Sequence, residues 1–409
     1  MAQHIRSKED INMNNSLFDE NELLVDGINS GVSEEYEDTT EIEPFDPKKI
    51  SITKKNIALD VVIRRMKRKT IRLTPDFQRN AVWSDKQKSL LIESLMLNIP
   101  IPMFYVAADE EGNWDVVDGL QRLTALKEYL IDNSLKIDNL EFWKEYKGKA
   151  IDDLPPVIYN RIYETEFTFV IIEPNTPENV KYNIFKRINT GGKPLSPQEI
   201  RNALYNGKGT KLLQNLAHSD SFLNATDNSI NDLRMTAQEC VLRYLSYLLV
   251  GTDGYFEKDF ADSFLIRNLR ILNNLDNIKD KSNYVMFKDG KNPKILVNSY
   301  DELIELFNKG LKRNKDFFGK DAFRLMSIKT KKRTPINRAM IETLGTLFAR
   351  LSEEEFNKLL TLKDSFLKKY EKVRITNEFY RAVSRDPWTK ENVNYRFKIF
   401  EKLIQETIQ

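Results

Sequence analysis

The sequence predicts an α+β architecture: a small mixed domain followed by a mainly α-helical C-terminal domain. Three observations lead there. From about residue 48 to 205, short apolar runs of strand character alternate with segments of helical periodicity. Beyond about 206 the strand-like runs stop, and apolar residues recur at helical spacing to residue 409. Before 48 the chain is rich in Glu, Asp, Asn and Ser, with no Lys or Arg between Asp19 and Asp46. The expected organisation is a disordered acidic tail at 1–47, a mixed domain at 48–205 and a helical domain at 206–409.

Each element has its own signal. "IALDVVIRRMKR" places Leu59, Val62, Ile63 and Met66 on one helical side. "KTIRL" reads as a short strand, and "TPDFQRNAVWS" as a loop. "DKQKSLLIESLMLN" is a helix behind the N-cap Ser84, with Leu90, Leu91, Leu95, Met96 and Ile99 as its core stripe. "IPIPMFYVAAD" and "WDVVDG" are strands joined by the turn "EEGN", and "EFTFVIIE" is a further strand. The C-terminal half offers six helical segments, among them "MTAQECVLRYLSYLL" and one long run, "SEEEFNKLLTLKDSFLKKYEK". No fixed repeat period is present.

Composition excludes several classes. The 409 residues are 41% hydrophobic and 30% charged, with a net charge of +2, so overall charge does not point to nucleic acid. The one cysteine, Cys240, lies in an apolar helical run and reads as a buried hydrophobe; an internal disulfide is excluded. No signal peptide and no apolar run near the ~18 residues of a membrane span is seen, so a cytoplasmic protein without membrane association is expected. Only His4 and His218 exist, which argues against a zinc site, a histidine-metal (HNH) nuclease or a serine triad in this chain, and no protein-bound metal centre is expected. Charge is nonetheless patterned: Lys48 to Leu73 holds ten basic residues and the single acid Asp60. Within it Arg64 and Arg65, and farther on Lys331, Lys332 and Arg333 of "KTKKR", are candidate DNA-phosphate contacts. Solvated basic faces balanced by the acidic tail are the alternative.

Three motifs carry chemistry. In "DVVDGLQRLTALKEYL" a strand becomes a helix at Asp118, Gly119, Gln121 and Arg122. A helix starting there aims free backbone N–H groups and the positive end of its dipole at the junction. Gly119 allows close approach, Arg122 supplies a guanidinium for phosphate oxygens, and Asp118 suits a water, a metal ion or a hydroxyl. The alternative is that Asp118 caps the helix and pairs with Arg122. In "PDFQRNAVWS", Gln78 and Arg79 lie between Phe77 and Trp83. In "NIFKRINTGGKPLSPQEIRNALYNG", a helix carrying Arg187 runs into Asn189 and a Gly191–Gly192 turn, an anion nest by composition. Ser196, Pro197 and Glu199 then open a second helix as cap, first-turn proline and capping-box acid.

Together, "FQRNAVWS", "LIESLMLNIPIPMFYV", "DVVDGLQRLTAL" and "FKRINTGGKPLSPQEIRNAL" resemble the N-terminal domain of GmrSD-type restriction proteins, within the ParB/sulfiredoxin-like superfamily. The resemblance covers about residues 50–210. It implies a ParB/sulfiredoxin-like fold and a D-G-Q-Q-R motif that binds, and in some members hydrolyses, nucleoside triphosphate with Mg²⁺. The chain matches at Asp118, Gly119, Gln121 and Arg122 and departs at Leu120, where the family often has Gln. By that resemblance Asp118 and Arg122 are the catalytic candidates. Gly119 and Gln121, Gln78 and Arg79 from the loop, and Arg187, Asn189 and Gly192 from the third motif would bind nucleotide. The implied role is a nucleotide-dependent component of a modification-dependent restriction or anti-phage defence system, with DNA, a separate nuclease subunit and a second copy of the chain as partners. A DNA-binding or docking subunit with a degenerate nucleotide site, or a nuclease with an unrecognised site, are the alternatives.

Overall fold

The computed structural model of the protein describes residues 22–25, 27–35, 48, 50–73, 83–188, 195–257, 259–280, 286–287, 290–325 and 333–409. Gln78, Arg79, Asn189, Gly192, Lys331 and Lys332 lie outside the described residues. The chain divides into two compact units. One is Glu43–Asn206; the other joins Met1–Ile42 to Gly207–Gln409.

The first described elements, strands β1 (Glu22–Val25) and β2 (Ile28–Ser33), belong to the second unit. The first unit contains strand β3 (Ile52–Ala58), helix α1 (Leu59–Lys67), strand β4 (Ile71–Arg72), helix α2 (Asp85–Met96) and strands β5 (Phe104–Ala108) and β6 (Trp114–Asp118). Helices α3 (Leu120–Leu130) and α4 (Pro156–Glu164), strand β7 (Glu166–Ile172) and helices α5 (Glu178–Ile188) and α6 (Pro197–Leu204) complete it. The sheet order is β3-β7-β5-β6-β4. Strand β3 is antiparallel to β7, β7 parallel to β5, β5 antiparallel to β6 and β6 parallel to β4. The protein is α+β, as its sequence predicts.

The core of this unit forms where the apolar stripes of α1, α2, α3 and α4 meet one sheet face. Leu59, Val62, Ile63 and Met66 are all buried, together with Ile92, Leu95, Leu123, Leu126 and Ile162. Phe104 and Phe169 stack with ring centroids 5.1 Å apart. Ser84 caps α2 as expected, in a reciprocal capping box with Gln87. Ile99 departs from the expected stripe: α2 ends at Met96, and Ile99 lies beyond it, 48% exposed. The sequence reading also overlooked β3. Lys54, Lys55 and Asn56 are all exposed on this edge strand, so it shows none of the one-sided burial that produces a legible alternation.

The second unit is helical after its hairpin. Helix Thr236–Val250 is buried almost throughout and contacts helices Lys208–Ala217, Ala261–Asn274, Tyr300–Phe318 and Arg338–Arg350. Cys240 is buried in it, and burial pushes its thiol up to about 12. The long run expected as one helix is two, Glu353–Thr361 and Lys363–Arg374, broken at Leu362.

The expected disordered tail needs a larger correction, because residues 22–25 and 27–35 belong to this unit. Gly31 adopts φ +79°, and a Cβ there would lie 1.7 Å from the Ser229 carbonyl oxygen, so no side chain fits. Ser33 N–H donates to Ile336 O at 2.8 Å, and Ile336 N–H donates to Gly31 O at 2.9 Å. Two residues on, the Glu35 carboxylate accepts two hydrogen bonds from Arg243, each 2.8 Å, and one from Arg338 at 3.1 Å. Arg243 and Arg396 both donate to the fully buried Glu342. Composition alone misread the segment because one of its acids, Glu35, is not spent in solvent but neutralises buried arginines.

Candidate functional site

Strand β6 would carry Asp118 into the core if it kept simple alternation, since Val116, two residues earlier, is buried there. The register prevents this. Val106 pairs with Val116, but Tyr105 pairs with Asp118, so Val117 is an extra residue on β6. Such a bulge re-aims the side chains that follow it. Asp118 thus comes to lie opposite Tyr105, with its side chain 42% exposed.

Gly119 turns the chain from strand to helix at φ +96°. A Cβ at this position would lie 2.3 Å from Cδ1 of Phe104, so both the backbone conformation and the space require glycine. Helix α3 then begins, with Leu123 N–H donating to Gly119 O at 2.9 Å as its first bond. Among the described residues no side chain caps its N-terminus. The capping role considered for Asp118 is not realised, whereas its pairing with Arg122 is, at 3.0 Å.

Arg122 is held more tightly than its motif alone implies. Its guanidinium donates to Pro102 O, to Met103 O at 3.2 Å and to Asp118 Oδ2 at 3.0 Å. It also stacks on the Phe104 ring with its Cζ 4.5 Å from the centroid. Burial lowers its pKa, and the Asp118 carboxylate counters that shift. Arg122 therefore ties the entry of β5 to the first turn of α3. Gln121 accepts a hydrogen bond from Trp83 N–H at 3.3 Å, so the chain at Trp83 is fastened to the junction. Leu120 packs against the hydrophobic core of the unit.

Helix α6 packs on β6 and on α5. Its start is as the sequence predicts: Ser196 Oγ accepts from Glu199 N–H at 3.1 Å, and the Glu199 carboxylate accepts from Ser196 N–H at 2.7 Å. Arg187, near the end of α5, is exposed. The sequence reading missed a buried polar ladder along α6. Arg201 Nε donates to Gln198 Oε1 at 2.9 Å, and Gln198 Nε2 donates to Asn202 Oδ1 at 2.8 Å. All three side chains are buried, and their i, i+3, i+4 spacing was the available signal.

The basic candidates divide. Arg65 stacks on Trp114, 3.9 Å from the ring centroid, and donates to Gly112 O at 2.7 Å, so it serves the fold of its own unit. Arg64 is exposed and pairs with Asp60 at 3.4 Å. Arg333 pairs with Asp227 at 2.7 Å and donates to Lys320 O. Arg338 and Arg324, near the second basic run, are turned inward, to Glu35 and to Ser229 Oγ. His218 ends helix Lys208–Ala217, its Nδ1 2.8 Å from Gln214 O. Among the described residues no three His, Cys, Asp or Glu side chains are grouped to hold a metal ion, and no helix is long and apolar enough to cross a membrane.

No curated protein and no solved structure matches the chain. A family model described as GmrSD restriction endonuclease, N-terminal domain, matches residues 61–206, a span that holds the β6–α3 junction, the loop before Trp83 and both helices of the third motif. Over residues 61–206 the chain is therefore similar to the N-terminal domain of GmrSD restriction endonucleases.

Proposed function

We propose that the protein is a nucleotide-dependent component of a restriction-type defence system, and that it binds a nucleoside triphosphate at the β6–α3 junction. The uncapped N-terminus of α3 carries this reading. Its backbone N–H groups and dipole favour an anion, and Asp118, paired with Arg122, is a carboxylate beside them. The fastening of Trp83 to Gln121 supports a site closed by Gln78 and Arg79 from the preceding loop, with Arg187, Asn189 and Gly192 forming a third side. Mg²⁺ fits as a companion of the phosphates, because it needs only one or two protein carboxylates and keeps waters; Asp118 is that carboxylate, and the ion would neutralise phosphate charge. In hydrolysis Asp118 positions water and Arg122 holds the site's shape and charge. Cutting of DNA in the cytoplasm then falls to a separate nuclease subunit, and self-association completes the partner set. Arg64 and the Lys331–Arg333 run remain the DNA contacts of this reading, whereas Arg65 is structural.

One observation favours a second reading, in which nucleotide is bound but not turned over: Arg122 is already committed to Pro102, Met103 and Asp118, and Leu120 is turned to the core. The test is phosphate release from ATP, GTP and CTP, with and without DNA, alongside nicking of plain and modified DNA. Turnover abolished by both Asp118→Ala and Arg122→Ala supports hydrolysis. Tight binding without turnover supports the second reading. DNA cleavage that survives both substitutions overturns the assignment of this site.

A further inference from the structure

The strand registers place four side chains in one row across the sheet. Asp118 on β6 pairs with Tyr105 on β5. Tyr105 pairs with Val170 on β7, and Val170 with Lys54 on β3. Paired residues on neighbouring strands share a face. This is the face opposite the aromatic core, because Phe104 and Phe169, the neighbours of Tyr105 and Val170 in their strands, pair on the buried side. The row is not sealed: Tyr105 and Val170 are half-buried, and Lys54 is exposed. The Tyr105 hydroxyl and the Lys54 ammonium have no hydrogen-bond or ion-pair partner among the described residues. Beside Lys54 on the same face, Asn56 accepts a hydrogen bond from Thr168 Oγ1 at 2.9 Å. Three strand spacings separate the acid from the lysine, about 14 Å.

Resting on the nucleotide reading of the β6–α3 junction, we infer that this row is the seat of the nucleoside, and that Tyr105 is the residue on which the base stacks. The chemistry runs in order along the row. Phosphates sit at the α3 N-terminus beside Asp118. The next side chain is a half-buried aromatic ring, then a half-buried valine, then an exposed cation able to donate to an acceptor on the base edge. The bulge at Val117 makes this possible, since it brings Asp118 onto the face that Tyr105 occupies. Base-on-aromatic stacking tolerates any base, so Tyr105 supplies affinity and Lys54 the preference among bases.

The experiment is calorimetric titration of the full chain with ATP, GTP, CTP and UTP, and with inorganic tripolyphosphate as a probe lacking base and sugar, all with Mg²⁺. The wild type is expected to bind at least one nucleotide more tightly than tripolyphosphate. Tyr105→Ala should weaken that nucleotide by about tenfold and leave tripolyphosphate unchanged, while Tyr105→Phe keeps the affinity. Lys54→Glu, on an exposed edge strand where it does not endanger folding, should change the order of preference among the four nucleotides. If Tyr105→Ala and Lys54→Glu leave nucleotide binding as in the wild type, the row is not the nucleoside seat although the phosphate site stands. Equal weakening of nucleotide and tripolyphosphate by Tyr105→Ala overturns it as well. If the wild type binds none of the five compounds, both this inference and the reading beneath it fall.

Discussion

A methyl group at residue 119 would meet two obstacles at once, a left-handed backbone and the Phe104 ring 2.3 Å away. Gly119→Ala is therefore expected to destabilise the sheet unit by at least ~2 kcal/mol, read as a lowered urea midpoint. The two charged members of the motif should separate in the same assay. Arg122 is 11% exposed, serves two carbonyls as well as Asp118 and stacks on Phe104, so Arg122→Ala removes three hydrogen bonds and that packing and should cost about 1–3 kcal/mol. Asp118, the more exposed partner, should cost less on going to Ala, leaving Asp118→Ala the cleaner probe of chemistry. A larger stability loss for Asp118→Ala than for Arg122→Ala would contradict this division. At this scale the sequence reached far. Residue types at the junction point to the strand-to-helix turn at Gly119 and the Asp118–Arg122 pair that the structure shows, because glycine, acid and guanidinium each have a narrow range of uses there. What it could not announce is the neighbour Tyr105. Pairing across strands is set by a bulge, and a bulge of one ordinary valine leaves no mark in composition.

Among the elements, those with one buried face were legible and those without were not. Helix α1 exposes its stripe to any reading at helical spacing, whereas β3 interrupts its apolar residues with the exposed run Lys54, Lys55 and Asn56 and reveals itself only through its seven-residue register with β7. Loops are another blind spot, since a single buried side chain can hold them. Glu93 in α2 accepts backbone hydrogen bonds from Glu141 at 2.9 Å, Phe142 at 2.8 Å and Trp143 at 2.9 Å. Burial alone would raise its pKa, but these three donors bring it below the ordinary carboxylate value. Glu93→Gln keeps the shape and loses the charge, so it should destabilise the unit by about 1–3 kcal/mol. The amides of Phe142 and Trp143 should then exchange with solvent faster while those of β7 do not. Equal acceleration in both places would mean that the carboxylate holds the whole unit rather than the loop.

For the molecule as a whole, the decisive fact is that the helical unit draws on both ends of the chain, Met1–Ile42 and Gly207–Gln409. Glu35 makes this testable by pH. Burial would raise its carboxyl, but Arg243 and Arg338, with Arg396 farther off, outweigh burial and hold it at about 2, below the ordinary 4.5. A carboxyl depressed on folding stabilises above its unfolded value, and that contribution drains away as pH falls from about 4.5 towards 2. The gap corresponds to about 3 kcal/mol at neutral pH. Glu35→Gln should therefore be clearly less stable than the wild type at pH 7, with the difference shrinking through that acid window; a difference that does not change with pH would refute the assignment. Deleting residues 1–35 should abolish cooperative melting of the helical unit, and a synthetic peptide covering 22–40 should restore it. The same arrangement imposes a schedule on synthesis. The ribosome releases Glu35 early, yet Arg243, Arg338 and Arg396 emerge only after the entire sheet unit. At ~5–20 residues per second the strap waits on the order of tens of seconds for its arginines. During that wait the inserted sheet unit has time to fold, so Glu35 meets its arginines only after that unit has been made.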